Sequence, residues 1–79
     1  MINWIKTGKT VDGDNTTIVY AGEGTDLRIE SRKRLIPHAG GRPGGWLHTS
    51  YFVIRDGAEL AEQYSLKDAK EYAEKVRKI

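Results

Sequence analysis

The sequence predicts an α+β fold: a small antiparallel sheet of three to four strands with one C-terminal α-helix packed on a face. Three observations carry this. β-Branched and aromatic runs are separated by short Gly- and Asp-rich segments. Asp56-Gly57 stands between two such runs, a strong two-residue hairpin signal. After Ser65 the apolar spacing becomes helical. Sequential hairpins favour antiparallel neighbours, so the expected order is strands first and the helix last.

The opening, Met1 to Thr10, holds Ile2, Trp4 and Ile5 and reads as a short strand or a packed arm. Asp12-Gly13-Asp14-Asn15 is turn chemistry, because these residues accept left-handed or locally hydrogen-bonded backbone. Thr16 to Tyr20 suits a pleated surface. Gly22 to Asp26 reads as a hairpin connection, and Leu27 to Ile36 as the next strand. Alternation puts Leu27, Ile29 and Leu35 on one face of that strand, with Ser31 and Lys33. Arg28, Glu30, Arg32 and Arg34 fall on the other face, with Arg32 and Arg34 about 6.6 Å apart from a rise of ~3.3 Å per residue.

Trp46 to Arg55 carries apolar residues on both faces and is expected to be covered on both. The helix covers one face and the N-terminal arm, through Trp4, part of the other. The Asp56-Gly57 turn pairs Arg55 with Ala58 and Val53 with Leu60, and Glu59 to Tyr64 forms the last strand. Ser65 is the helix N-cap, with Asp68 three residues on. Leu66, Ala69, Tyr72, Ala73 and Val76 form one apolar stripe. Asp68 and Glu71 lie at the positive end of the helix dipole, and Lys75, Arg77 and Lys78 at the negative end.

Composition limits the function. A chain of 79 residues is expected to form one domain, 1–79, with a core near the lower size limit. Apolar residues make up 38% and charged residues 30%, a globular balance and not a disordered one. The net charge is only +2, so any electrostatic role depends on where charge sits. Cysteine is absent, which excludes disulfides, thiolate catalysis and thiolate metal sites. The N-terminal residues lack the pattern of a signal peptide, and no apolar run approaches the ~20 residues of a bilayer span. A cytoplasmic location without membrane association is the expectation.

Charge is placed unevenly. Arg28, Arg32, Lys33, Arg34 and Arg42, with His38, surround a single acid, Glu30, and lead into the loop Gly40-Gly41-Arg42-Pro43-Gly44-Gly45. Asp56, Glu59, Glu62, Asp68, Glu71 and Glu74 make the final hairpin and helix acidic. Gly41-Arg42-Pro43 contains the core of an AT-hook, whose Arg enters a narrow minor groove, but the flanking basic residues of a hook are missing. The basic group could follow a phosphate backbone, with Trp46, Tyr20 or Tyr51 adding base stacking. His38 and His48 have no metal-ligand company, and no catalytic constellation or phosphate loop is present.

The segments Tyr51–Gly57 and Ser65–Ala73 resemble a small module of a sheet hairpin followed by a capped helix with an Ala…Ala stripe. Arm-type DNA-binding domains of phage integrases and AP2-like domains share it. The resemblance covers roughly the last third of the chain, implies a sheet that reads DNA, and assigns no residue a role. The reading from sequence is a non-catalytic binding protein without cofactor, metal or small-molecule substrate. Nucleic acid is the expected partner, through Arg28, Arg32, Lys33, Arg34, His38, Arg42 and Trp46. The alternative is a phage or mobile-element inhibitor, anti-CRISPR-like, that binds a host protein.

Overall fold

The computed structural model describes residues 1–41 and 43–77. The strands are β1 (Trp4–Asp12), β2 (Asn15–Gly22), β3 (Leu27–Pro37), β4 (Gly45–Arg55) and β5 (Ala58–Gln63), and the helix α1 is Leu66–Arg77. They form a five-stranded sheet in the order β1-β2-β3-β4-β5, every neighbouring pair antiparallel. Arg42 and Lys78 lie outside the described residues.

Five strands replace the expected three to four. The addition is β1, a full strand paired with β2 from Trp4↔Gly22 to Asp12↔Asn15. Its Lys and Thr side chains are largely exposed, so it lacks the alternating apolar signal of a half-buried strand. Its order comes from the ladder it shares with β2. The connecting turn is Gly13-Asp14, with Gly13 at φ 61°, the first central position that a type II′ hairpin needs.

The Asp56-Gly57 turn forms as expected, both residues having positive φ (49° and 80°), as type I′ requires. Arg55 pairs with Ala58. The next expected pair does not form: Val53 faces Ala61, not Leu60, because a bulge leaves Leu60 without a partner. Small Ala61 therefore stands beside Val53 on the side where the helix packs.

α1 lies against β3, β4 and β5. Its Ala69 and Ala73 are completely buried, and so are Ile29 and Val53 beneath it. Leu27 and Ile2 complete the buried core, with Trp4, Tyr20, Tyr51, Leu66, Tyr72 and Val76 half-buried around it. Asp68 N donates to Ser65 Oγ at 3.1 Å, closing the cap. At the far end Arg55 Nη2 donates to the Val76 carbonyl at 3.4 Å. Its Nε stands 3.4 Å from Asp26 Oδ1 but is buried without a well-formed hydrogen bond.

The N-terminal residues pack where they were not expected. Trp4 does not cover the second face of β4; it and Ile2 join the helix-side core. Trp4 lies opposite Gly22, which shares the face of Tyr20, and the missing side chain of Gly22 leaves room for both. A Cβ at Gly22 would stand 2.8 Å from Ile2 Cγ2 and 2.6 Å from Thr25 Oγ1. Ile2 N donates to Glu74 Oε1, tying the start of the chain to α1. The opposite face of the sheet, including Phe52 and Ile54, stays uncovered and half-exposed.

The β3–β4 ladder runs from Leu27↔Arg55 to Pro37↔Gly45. β2 stops pairing with β3 at Lys33, and β5 stops pairing with β4 at Tyr51. Beyond those positions the hairpin continues as a two-stranded arm, which helps make the molecule 47 Å long and only 21 × 20 Å across.

Urea unfolding checks this packing. Ser65→Ala is expected to cost about 1 kcal/mol through loss of the cap. Gly22→Ala should cost about 1–3 kcal/mol by overpacking. Ile29→Ala should cost about 2–5 kcal/mol by opening a cavity. A neutral Gly22→Ala would mean that Ile2 and Trp4 do not pack on the helix side.

Candidate functional site

Of the strand residues predicted to bind, Arg28, Arg32, Arg34 and Trp46 lie on the sheet face away from α1, and Lys33 lies on the other. Arg28, Glu30, Arg32 and Arg34 of β3 stand opposite Ile54, Phe52, Ser50 and His48 of β4. β5 adds Glu59 opposite Ile54 and Glu62 opposite Phe52. On these three strands the open face thus carries three arginines and three glutamates, and the basic bias of the sequence is largely balanced there.

Arg32 is held on three sides. Its Nε donates to Glu30 Oε1 and its Nη2 to Glu59 Oε1, both at 2.7 Å. The guanidinium carbon sits 4.1 Å above the centre of the Phe52 ring. The Glu30 hydrogen bond, opposed by partial burial and reinforced by Glu59, raises the Arg32 pKa above the usual arginine value. The side chain therefore stays charged, but two carboxylates already meet that charge. Glu59 and Phe52 were not among the site residues expected from sequence. The signal for Glu59 existed in part: the Asp56-Gly57 hairpin puts it on this face, two strands from Arg32 and within reach of a long side chain.

Arg34 is placed differently. Nη1 donates to the carbonyls of Thr16 (3.3 Å) and Lys33 (3.0 Å), and Nη2 donates to Thr17 Oγ1 (3.0 Å). All three acceptors are neutral, so the guanidinium is positioned across β2 with its charge uncompensated. Lys33 alternates onto the helix-side face and is exposed. Among the described residues the ion pairs are Arg32–Glu30, Arg32–Glu59 and Arg55–Asp26, none involving Lys33 or Arg34.

Arg28 is exposed, about 20 Å from Arg34 along β3 at ~3.3 Å per residue. It borders a shallow depression of about 610 Å³ whose walls also carry Asp26, Asp56 and Glu59. His38 and Trp46 come together near the end of the arm, ring centres 5.5 Å apart and planes tilted by 54°. Trp46 is 53% exposed. His48 lies in hydrogen-bond contact with Ser50 Oγ at 3.1 Å and has the Tyr64 ring at 5.8 Å. Arg42 lies outside the described residues. The structure thus divides the predicted group: Arg28 and Arg32 stand among carboxylates, while Lys33, Arg34, His38 and Trp46 belong to the arm and its root. Leu47, 52% exposed on the arm, was not anticipated.

Among the described residues no group of three His, Asp or Glu side chains is placed to hold a metal ion. No described helix is long and apolar enough to cross a membrane. Comparison with protein-family models, curated proteins and solved structures finds no match to this chain.

The two arginine environments predict opposite costs. Arg32→Ala should lower stability by about 1–2 kcal/mol, since it removes charge-assisted bonds and a cation–π contact at a partly exposed site. Arg28→Ala should stay within about 0.5 kcal/mol, as for an exposed side chain without partners. Chemical denaturation of the two variants checks the contrast; equal effects would mean that the Glu30–Arg32–Glu59 cluster does not hold the strands together.

Proposed function

We propose that this chain is a non-catalytic binding protein that contacts nucleic acid through the β3–β4 arm and its root. The observation that carries the reading is Arg34, fixed by Thr16, Thr17 and Lys33 oxygens with no carboxylate partner. A guanidinium held in place by neutral acceptors keeps its charge for an external anion, and its planar donor set suits a phosphate. Lys33 adds an exposed cation at the root of the arm, on the opposite face from Arg34, and Trp46 offers an aromatic surface on which a base can stack. Asp12 and Asp14, in the β1–β2 turn at the same end, limit the positive field on the β1 side. Arg42 adds charge to the β3–β4 connection by its place in the sequence. Arg32 takes no part, because Glu30 and Glu59 already occupy it.

A second reading, a small inhibitor that docks on a protein groove, draws support from the exposed Trp46 and Leu47 on opposite faces of the arm. It is the reading that survives if nucleic acid does not bind.

Anisotropy titrations of labelled single-stranded and duplex DNA and RNA over a range of salt decide between them. Replacing Lys33 and Arg34 together should weaken binding at every sequence and flatten the log–log salt slope by roughly 1.4–1.8, from two lost phosphate contacts. Trp46→Ala should weaken single-strand binding most. Arg32→Ala should leave the slope unchanged. Absence of binding at physiological salt overturns the nucleic-acid reading.

A further inference from the structure

Among the described residues the sheet has four open edges, and one of them is unguarded. β1 carries Lys6 and Lys9 and is interrupted by a bulge between Lys6 and Gly8. β5 is six residues long, holds Glu59 and Glu62, and is bulged at Leu60. On the arm, the β3 edge is blunted by Pro37, which has no N–H, and by Asn15, whose Oδ1 accepts from Leu35 N at 3.2 Å. Charges, prolines and bulges are the devices that stop one edge strand from pairing with another. The β4 edge of the arm, Gly45-Trp46-Leu47-His48-Thr49, has none of them. It contains no lysine, arginine, aspartate, glutamate or proline and pairs with β3 without a break. The β5 ladder does not reach it, the Tyr64 ring beyond β5 lies 5.8 Å from His48 at its inner end, and Trp46 and Leu47 are half in solvent.

We propose that this edge pairs antiparallel with the same edge of a second copy, about a two-fold axis through Leu47. Pairing with β5 ends at Tyr51, so the unpaired run is Gly45–Ser50, and a register centred on Leu47 uses five of its six residues. Leu47 meets Leu47 on the helix-side face, Trp46 of one copy meets His48 of the other on the open face, and Gly45 meets Thr49. Two features select a second copy as occupant. The segment is neutral, so pairing it with itself sets no like charges opposite each other. Its symmetric register also matches apolar with apolar and aromatic with imidazole at each position. The nearest fixed charge on the open face, Arg34, lies one strand inside each arm. Its backbone lies about 16 Å from that of the other copy's Arg34, from three strand spacings of ~4.8 Å and a two-residue offset of ~6.6 Å, so that repulsion is screened at physiological salt. Because the axis stands perpendicular to the sheet, both open faces end on the same side. The pairing does not rest on the nucleic-acid reading and is tested without any ligand.

Sedimentation equilibrium of the whole chain, with cross-linking through a single introduced cysteine, tests it. The chain has no cysteine of its own. Opposed residues of an antiparallel pair have Cα atoms about 4.5–5.5 Å apart, which suits a disulfide. Leu47→Cys should therefore oxidise to a covalent dimer in good yield. Val11→Cys, exposed on the guarded β1 edge, should stay largely monomeric under the same oxidant. The unmodified chain should show a concentration-dependent dimer that changes little with salt. Leu47→Lys, which sets two ammonium groups face to face, should abolish that dimer while leaving the circular dichroism unchanged. A chain that remains monomeric up to about 1 mM overturns the proposal. So does a dimer that survives Leu47→Lys, equal cross-linking through Val11→Cys, or a monomer whose β4 edge instead takes up an unrelated extended peptide.

Discussion

One thin contact supports the rest of this structure: Ala69 and Ala73 of the helix seated on Ile29 and Val53 of the sheet. Alanines bring the helix axis close to the sheet, and the small Ala61 keeps the adjoining strand clear. Among the described residues α1 is the one α-helix, and it buries one face of the sheet. The Leu27–Ile29 row faces the helix, and the alternate row of β3 faces water. Ile2 and Trp4 extend the same buried layer along its side instead of starting a second one. The other face, where Arg28, Arg32 and Arg34 stand beside Phe52 and Ile54, stays open because there is this single layer.

A sheet face that stays in water must still manage its charges, and here the strands do so across the sheet. Arg32 connects β3 to β5 through Glu59, lies over Phe52 of the strand between them, and holds Glu30 two residues away. Such a cluster contributes modestly at a partly exposed site. Its larger consequence is selective. It removes one arginine from the pool of charge open to a partner and leaves Arg34, one position along the same face, without a carboxylate. Two arginines that look alike in the chain therefore have different physical standing.

The second consequence of the layout is a mismatch of strand lengths. β3 and β4 are each eleven residues long, while β5 has six and the described β2–β3 pairing ends at Lys33. The longer pair has nothing to lie against at its end and extends past the core as an arm. Its side chains include leucine, isoleucine and tryptophan, residue types that a strand of a buried sheet would cover. An arm of this kind has both faces and one edge open to a partner. The basic root and exposed aromatic tip suit a polyanion with bases, and the uncharged β4 edge suits another copy of itself. Both proposals involve Trp46, whose ring stands on the open face beside the β4 edge.

Much of the fold was legible from the chain because it is decided locally. The helix with its Ser65 cap, the Asp56-Gly57 turn and the two-face alternation of β3 each depend on residues a few positions apart, whose backbone preferences act wherever they occur. The sequence alone thus determined the order of elements, the type of each and the division of β3 into an apolar and a charged face. It did not determine β1, whose lysines and threonines carry no burial signal and whose order comes from pairing with β2. Nor did it determine the side on which Trp4 packs, the bulge that exchanges Leu60 for Ala61, the capture of Arg32 by Glu59, or the reach of the arm. Each of those is a contact between separate strands or between strand and helix. Alternation states which residues share a face; only the packed neighbours decide whether that face is covered, neutralised or left open.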